Sequence, residues 1–238
     1  MARRRFFVDS IERGHAQIRG DDAHHLTRVL RVEPGQKFEI SDNRRVFLAE
    51  VESARKDLVV FLMLDEIDVP SPRLHSTLLA SLIKFDRFEW MLEKATELGV
   101  DQIIPVQTER SEKGLEQAAE KRRGRWERIA REASEQSRRA RLPVIESPLS
   151  LSDVLASNAK YRYVLEEGEA PPVLGRLPQD REPADTIALL AGPEGGWSDR
   201  ERTSIRTAGW QPVSLGRNIL RAETAAIVAL GIIHAAWL

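Results

Sequence analysis

The hydrophobic pattern changes near residue 70. Before that point, short apolar stretches separated by turn residues indicate strands. One helix interrupts them, because His25, Leu26, Val29 and Leu30 recur at helical spacing after a cap at Asp21 or Asp22. The predicted strands are Arg5 to Val8, Lys37 to Ser41, Val46 to Ser53 and Leu58 to Leu64. Residues 1–70 are therefore expected to form a small β-barrel domain.

After the linker Val69-Pro70-Ser71-Pro72, strands alternate with helices. This alternation is typical of an α/β domain with a mainly parallel sheet and helices on both faces, here over residues 73–238. The predicted strands include Leu74 to Ile83, Gln102 to Val106, Tyr161 to Leu165, Thr186 to Ala191 and Pro212 to Leu215. The predicted helices include Asp86 to Leu98, capped by Asp86 and Glu89, Gln117 to Arg141 and a final helix from about Glu223.

Two glycine-containing loops follow predicted strands. The first, Gly192-Pro193-Glu194-Gly195-Gly196, precedes Ser198-Asp199-Arg200-Glu201, an S-x-x-E capping box that starts a helix. The second runs from Ser214 to Ala225. In open α/β sheets, ligands bind at the carboxyl ends of strands. Gly195 and Gly196 are expected to take positive φ, so that a β-branched residue at Gly195 abolishes ligand binding.

These loops and several other segments resemble the 16S rRNA (uracil-N3) methyltransferase family, which belongs to the SPOUT class of knotted methyltransferases. The resemblance rests on GPEGG at 192–196 and LGRNILRAETA at 215–225. It extends to RFF at 5–7, HLTRVLR at 25–31, KFDRFEW at 84–90, KATELGV at 94–100 and EQS at 135–137. It implies a trefoil-knotted SPOUT domain at residues 73–238 and a PUA-like RNA-binding barrel at residues 1–70.

The family resemblance implies S-adenosyl-L-methionine as the cofactor. Apolar side chains can wall an adenine ring while backbone groups bind its polar edge. The positions expected to bind the cofactor are Leu190, Gly192, Glu194, Gly195, Gly196, Leu215, Gly216, Ile219 and Leu220. The chain lacks a P-loop and a Rossmann fingerprint, and its histidines and absent cysteines offer no metal-ligand cluster. No metal is expected.

Transfer to uracil N3 requires an oriented base and the loss of the N3 proton. Arg221 can favour the uracil anion electrostatically, and Glu223 or Glu194 can accept the proton. We therefore expect Arg221 and Glu223 to be catalytic. In the alternative, Arg221 and Glu223 form a structural ion pair and Glu194 binds cofactor or shapes its loop.

The charge distribution favours an RNA partner despite a net charge of −1. Basic residues cluster at Arg3-Arg4-Arg5, in the first predicted helix and along residues 121–141. The arginines expected to contact RNA phosphates are Arg4, Arg5, Arg28, Arg31, Arg125, Arg138 and Arg139. The family resemblance specifies the partner as 16S rRNA in the small ribosomal subunit.

Composition and terminal patterns predict a cytoplasmic protein. The chain has no cysteine, and Arg3-Arg4-Arg5 is not followed by the apolar segment that a signal peptide requires. The apolar run Thr224 to Leu238 is shorter than the ~20 residues of a membrane span and reads as a buried helix. Because that run is apolar nearly all round, some other surface is expected to cover its second side, either another part of the same chain or a second copy. The resemblance to the SPOUT class implies the second copy, in a twofold homodimer.

Two other functions remain open from the sequence. A non-catalytic RNA-binding or ribosome-assembly factor could use the same fold, although it would have no need of both loop motifs. An enzyme binding another adenine-containing ligand is also possible, although the phosphate-binding motifs of such enzymes are missing.

Overall fold

The computed structural model describes residues 4–111, 114–168 and 170–238. Arg3, part of the N-terminal basic cluster, lies outside the described residues. The chain divides into two compact units. The N-terminal unit contains the residues up to Ser71 together with Ser134–Leu142, and the C-terminal unit contains Pro72–Ala133 and Pro143–Leu238. The predicted boundaries, 1–70 and 73–238, did not include the contribution of Ser134–Leu142 to the N-terminal unit.

The N-terminal unit is built on a six-stranded sheet in which most neighbours are antiparallel. Its elements are β1 (Arg5–Phe7), β2 (Ile11–Glu12), β3 (His15–Arg19), α1 (Gly20–His24), β4 (Lys37–Ser41), β5 (Val46–Arg55) and β6 (Leu58–Ile67). The strand order is β1-β4-β5-β6-β3-β2, with β1 parallel to β4. A single apolar core fills the unit and includes Phe6, Ile40 and Phe61.

The predicted first helix differs in detail from the structure. Arg19 is the N-cap of α1 and makes no side-chain capping bond, so neither Asp21 nor Asp22 caps the helix. After α1 the chain forms a π-helical turn, His25–Val29. Strands β2 and β3 were not predicted. They form a hairpin through Arg13 and Gly14, both at positive φ, without the Asn-Gly or Asp-Gly signature of such turns.

The C-terminal unit is a parallel α/β sheet. Its first elements are β7 (Leu74–Ser81), α2 (Phe85–Glu97), β8 (Gln102–Gln107), α3 (Leu115–Gln136), β9 (Val144–Ile145), β10 (Leu149–Ser150) and α4 (Leu151–Val154). Then follow β11 (Tyr161–Leu165), α5 (Val173–Arg176), β12 (Asp185–Ala191), α6 (Asp199–Thr207), β13 (Gln211–Val213) and α7 (Ala222–Ala236). The order is β10-β8-β7-β12-β11-β13, and β9 pairs with β8.

Alternation along β12 shows that both faces of this sheet are covered. Ile187 and Leu189 join a core that contains residues of α2, α3 and α7. Ala188 and Leu190 join a second core with Val154 of α4 and Ile205 of α6. Successive side chains of a strand point to opposite faces, so the two cores lie on opposite sides. The α/β class with helices on both faces is confirmed.

The longest predicted helix ends earlier than its sequence suggests. Helix α3 ends at Gln136 rather than Arg141, and Arg138 adopts φ +57°, which a helix cannot contain. The carbonyl oxygen of Arg138 accepts a 2.7 Å hydrogen bond from Arg5, and its side chain pairs with Glu39. Tertiary hydrogen bonds thus override helix propensity here. Asp86 also does not cap α2, whose N-cap is Lys84 without a side-chain bond.

Candidate active site

A cavity of about 310 Å³ opens where β11 and β12 end and α7 begins. Three segments supply most of its lining: residues 165–168 at the end of β11, residues 191–194 and 196–197 at the end of β12, and residues 215–222 leading into α7. Arg87, Arg202 and Ala225 complete the wall. The cavity lies at the carboxyl end of a parallel sheet, and its volume is at the lower end of the range for small-molecule sites.

The end of the first loop is fixed by the predicted capping box. The Ser198 hydroxyl accepts a 3.1 Å bond from the Glu201 backbone N–H, and the Glu201 carboxylate accepts a 2.9 Å bond from the Ser198 backbone N–H. The same carboxylate also accepts a 2.8 Å bond from the backbone N–H of Glu109. The buried Glu201 thus links the start of α6 to the segment that follows β8.

Trp197 forms the buried base of the GPEGG loop. Its indole Nε1–H donates a 3.1 Å hydrogen bond to the carbonyl oxygen of Leu165, at the end of β11. A Cβ atom on Gly192 would lie 3.0 Å from Trp197 Cε2, so only glycine fits there without displacing the indole. Gly196 has φ +66° and donates to the Pro193 carbonyl oxygen across a turn.

Gly195 plays a different part from the predicted one. Its φ is not positive, and a Cβ atom there would contact the Arg110 side chain at 3.4 Å rather than occupy the cavity. The Gly195 carbonyl oxygen accepts a 2.6 Å hydrogen bond from Arg110 Nη1. The expectation that Gly195→Val acts by straining positive φ is therefore corrected, because that conformation belongs to Gly196.

The cavity brings together most of the positions expected to bind the cofactor. Those that line it are Gly192, Glu194, Gly196, Leu215, Gly216, Ile219 and Leu220. Leu190 does not. The pleat of β12 turns its side chain into the core beside Ile205, whereas the next residue, Ala191, lines the cavity. Ile219 is 79 % exposed at the rim of the cavity.

The three residues considered for proton chemistry occupy different environments. Glu194 Oε1 accepts a 2.6 Å hydrogen bond from Arg87 Nη1, at the start of α2, and the two side chains form an ion pair. Arg221 is exposed, lines the cavity and is the N-cap of α7. Glu223 is buried, and its Oε2 atom has no hydrogen-bond partner among the described residues. Within those residues no ion pair joins Arg221 to Glu223.

Glu166 and Arg202 form a cavity-wall pair that the sequence did not single out. Glu166 Oε2 lies 3.3 Å from Arg202 Nη2, and the Glu166 side chain is 17 % exposed. Burial raises the pKa of the Glu166 carboxyl above its ordinary value, and the Arg202 charge only partly offsets this. Residues 166–182 read as a polar surface loop, so only the position of Glu166 directly after a buried strand could have drawn attention to it.

The arginines expected to contact RNA differ in their exposure and pairing. Arg5 is buried and ion-paired with Glu39 at 2.8 Å, so it cannot reach a phosphate. This part of the prediction is wrong, because the pattern of the sequence does not reveal the buried carboxylate of Glu39. Arg138 pairs with the same carboxylate, and Arg139 Nε donates to the Arg141 carbonyl oxygen.

Arg125 is also paired, although its side chain remains exposed. It and Arg122 both bond Glu89, and these hydrogen bonds hold the pKa of the Glu89 carboxyl below its ordinary value even though burial acts to raise it. Arg4, Arg28 and Arg31 are exposed in the N-terminal unit.

Within residues 4–111, 114–168 and 170–238, no group of three or more His, Cys, Asp or Glu side chains is placed to hold a metal ion. Across the same ranges, none of the helices has the length and the apolar character that crossing a membrane requires.

Family models match both parts of the chain. An RNA methyltransferase domain model matches residues 70–234, and an RNA methyltransferase PUA domain model matches residues 18–63. The chain is thus an RNA methyltransferase of the class that joins these two domains.

Curated relatives carry one name. The chain is 36% identical over 219 residues to ribosomal RNA small subunit methyltransferase E of Synechocystis sp., with 89% of this chain and 70% of the relative covered. It is 31% identical over 230 residues to the Bacillus subtilis protein of that name, with 91% and 88% covered. The chain belongs to the ribosomal RNA small subunit methyltransferase E family.

Solved structures agree in fold over nearly the whole chain. Ribosomal RNA small subunit methyltransferase E from Neisseria gonorrhoeae, bound to S-adenosyl methionine, superposes with a TM-score of 0.88 at 30% identity, covering 99% of this chain and 98% of that one. A methyltransferase from Legionella pneumophila in complex with the same cofactor gives a TM-score of 0.90 at 27% identity, with the same coverage.

Proposed function

We propose that this protein transfers the methyl group of S-adenosyl-L-methionine to N3 of a specific uridine in 16S rRNA of the small ribosomal subunit. The observation that carries the proposal is the cavity formed by the two loop motifs at the carboxyl end of the parallel sheet. Family membership and two relatives that bind the cofactor support it. The reaction is placed in the cytoplasm, where small ribosomal subunits are found.

The cavity suits the cofactor in shape and in chemistry. Leu165, Leu215 and Leu220 supply apolar walls for an adenine ring. Gly192 and Gly216 line the cavity without a side chain, so the ring can approach the backbone of both loops closely. When bound, S-adenosylmethionine supplies an activated methyl group, so the protein must mainly hold the attacking nitrogen in line with it.

Proton removal from uracil N3 is assigned to the rim of the cavity. Arg221 lines the cavity and is exposed, so its guanidinium can stabilise negative charge that develops on the uracil ring. The N-terminus of the 15-residue helix α7 adds a partial positive charge at the same place. Glu223 is the second residue of this helix and is buried with an unpartnered Oε2 atom, and we assign it as the proton acceptor.

Glu194 is a weaker choice for the proton acceptor. Its carboxylate is already paired with Arg87 at 2.6 Å, so a proton on it would weaken that ion pair. The pair instead holds the GPEGG loop against the start of α2. We assign Glu194 to cofactor-loop geometry.

RNA contact is proposed for the exposed arginines, with Arg28 and Arg31 foremost. Arg28 lies on the π-helical turn, and Arg31 follows it at φ +51°. Turns of this kind are frequent at functional sites. Because phosphate contacts release counterions, RNA affinity should fall steeply with salt, and replacing Arg31 by alanine should reduce the slope.

We also propose that two copies of the chain form a homodimer through α7. One side of α7 packs against α2, α5, β7 and β12. Its other side leaves Val228 40 % exposed and Ile232 half-buried. A twofold partner presenting the same helix would bury this apolar side.

A methyl-transfer assay separates the enzyme from a non-catalytic assembly factor on the same fold. The protein is incubated with cofactor carrying a labelled methyl group and with small subunits that lack the modification. We expect stoichiometric label in 16S rRNA, and much less in Arg221→Ala and in free oligonucleotides. Tight binding to the subunits without any transferred label would instead support the assembly factor.

A further inference from the structure

The Glu166–Arg202 pair has no role in the chemistry described so far, although it lies in the wall of the cavity. Glu166 follows the last residue of β11 directly, and its backbone N–H donates 3.0 Å to the Val213 carbonyl oxygen of the neighbouring strand. The base of its side chain is therefore fixed by the sheet. The carboxylate is less exposed than that of Glu194, at 17 % against 40 %, so it belongs to the interior of the cavity rather than to the rim that meets RNA.

The position of Glu166 relative to the glycine loop indicates which ligand group it meets. Strand β11 pairs in parallel with β12, and the GPEGG loop follows β12. In dinucleotide-binding α/β sheets, a glycine-rich loop follows one strand, and an acidic residue further along the chain accepts a hydrogen bond from a ribose hydroxyl. This chain lacks the sequence fingerprint of those sheets but likewise has an acidic residue beside a glycine-rich loop. Trp197 ties the two strand ends together through the Leu165 carbonyl oxygen.

Arg202 is suited to keep this acceptor ionised. Its Nη2 atom lies 3.3 Å from the carboxylate, whereas its Nε atom is buried without a partner among the described residues. A buried carboxyl group without such a cation favours its neutral form, which accepts hydrogen bonds from hydroxyl donors less well. The guanidinium therefore counters the effect of burial on the carboxylate.

We propose that Glu166 is a cofactor-positioning residue whose carboxylate accepts hydrogen bonds from the ribose hydroxyls of S-adenosylmethionine, with Arg202 holding that carboxylate in place. The assignment rests on the proposed function, since it presupposes an adenosine-containing cofactor in this cavity. The α-ammonium group of the cofactor is the other donor that a carboxylate could bind, and the experiment below distinguishes the two.

The test compares ligand binding by wild type and Glu166→Gln in calorimetric titrations. The probes are S-adenosylhomocysteine, 5′-methylthioadenosine, which lacks the amino-acid portion, and 2′,3′-dideoxy-5′-methylthioadenosine. We expect Glu166→Gln to weaken the binding of S-adenosylhomocysteine and of 5′-methylthioadenosine by a similar factor. That factor should be about ten- to a hundredfold, because a hydrogen bond to a charged group is lost. The dideoxy probe should bind wild type more weakly than 5′-methylthioadenosine by a comparable factor, whereas Glu166→Gln should bind the two probes almost equally.

Two results would overturn the assignment. One is a loss confined to S-adenosylhomocysteine, which would place Glu166 at the ammonium group. The other is an equal penalty for the dideoxy probe in both proteins. Failure of wild type to bind any adenosine probe would instead refute the proposed function itself. Glu182→Gln, a surface carboxylate paired with Lys160 outside the cavity, is the matched control and should bind like wild type.

A pH profile adds a readout that a purely structural role would not move. Arg202, Arg206 and Glu167 are the other charged groups that act on Glu166. Because burial raises its pKa, wild-type affinity for 5′-methylthioadenosine should fall as pH drops through that raised value, whereas Glu166→Gln should show a flat profile. A fall of equal size in the variant contradicts the proposal.

Discussion

Gly192→Ala tests whether the GPEGG loop is shaped by its close approach to Trp197. The new Cβ atom would lie 3.0 Å from Cε2 and 3.1 Å from Nε1 of an indole that is only 2 % exposed. Overpacking of this kind costs ~1–3 kcal/mol. Displacing the indole also weakens its hydrogen bond to Leu165, worth ~1 kcal/mol. Reduced freedom of the unfolded chain returns ~0.4–1 kcal/mol, so we expect a net loss of roughly 1–3 kcal/mol.

Urea unfolding followed by tryptophan fluorescence measures this loss in the relevant unit. All five tryptophans lie in the C-terminal unit, so the signal reports its unfolding. With an m-value of ~2 kcal/mol per molar urea, the midpoint should fall by roughly 0.5–1.5 M. Cofactor affinity should fall together with stability, because the indole of Trp197 packs against the GPEGG loop and donates a hydrogen bond to the end of β11.

Gly124→Ala is the matched control for the same unit. Gly124 is exposed within α3, and a Cβ atom there would meet nothing within 4 Å. Relief of the glycine penalty in a helix should raise stability by ~1 kcal/mol without changing cofactor affinity. The reasoning is refuted if Gly192→Ala retains the wild-type midpoint and affinity while Gly124→Ala behaves as expected.

Three further changes test separate contacts. Arg110→Ala removes the 2.6 Å hydrogen bond to the Gly195 carbonyl oxygen. It should weaken S-adenosylhomocysteine binding about three- to thirtyfold in calorimetry, with little change in the urea midpoint. Unchanged binding would show that this hydrogen bond does not order the loop. Arg5→Met removes one of the cations that pair with the buried Glu39. The N-terminal unit should lose ~3 kcal/mol of unfolding free energy, measured by urea unfolding with circular dichroism. A loss of RNA affinity at unchanged stability would argue for phosphate contact instead. Ile232→Glu should split the homodimer in sedimentation and lower activity; a wild type that sediments as an active monomer at micromolar concentration would exclude the dimer.

Local signals in the sequence predicted the elements that build the cofactor loops. The apolar run of β12, the three glycines after it and the Ser198–Glu201 capping box each follow from residues within a few positions of one another. The sequence did not predict which face of the sheet each residue at the end of β12 occupies. Leu190 and Ala191 are adjacent and both apolar, so the pattern alone could not assign Leu190 to the core and Ala191 to the cavity.

Contacts between distant residues account for what the sequence did not predict. Glu166 and Arg202 are 36 positions apart and meet only because β11 and the start of α6 adjoin in the folded sheet. Arg5, Glu39 and Arg138 come from three separate segments, and their pairing both buries Arg5 and ends α3 early. The sequence pattern of a positively charged segment is the same whether its arginines bind RNA or a carboxylate of the same protein, so the pattern cannot distinguish the two roles.

The central claim is tested most directly by identifying the methylated nucleoside. Small subunits treated with the protein and S-adenosylmethionine carrying a labelled methyl group are digested, and the nucleosides and the RNA fragments are analysed by mass spectrometry. We expect one labelled product, 3-methyluridine, at a single position of 16S rRNA. Label on another base or on a ribose oxygen, or label spread over many uridines, would contradict it.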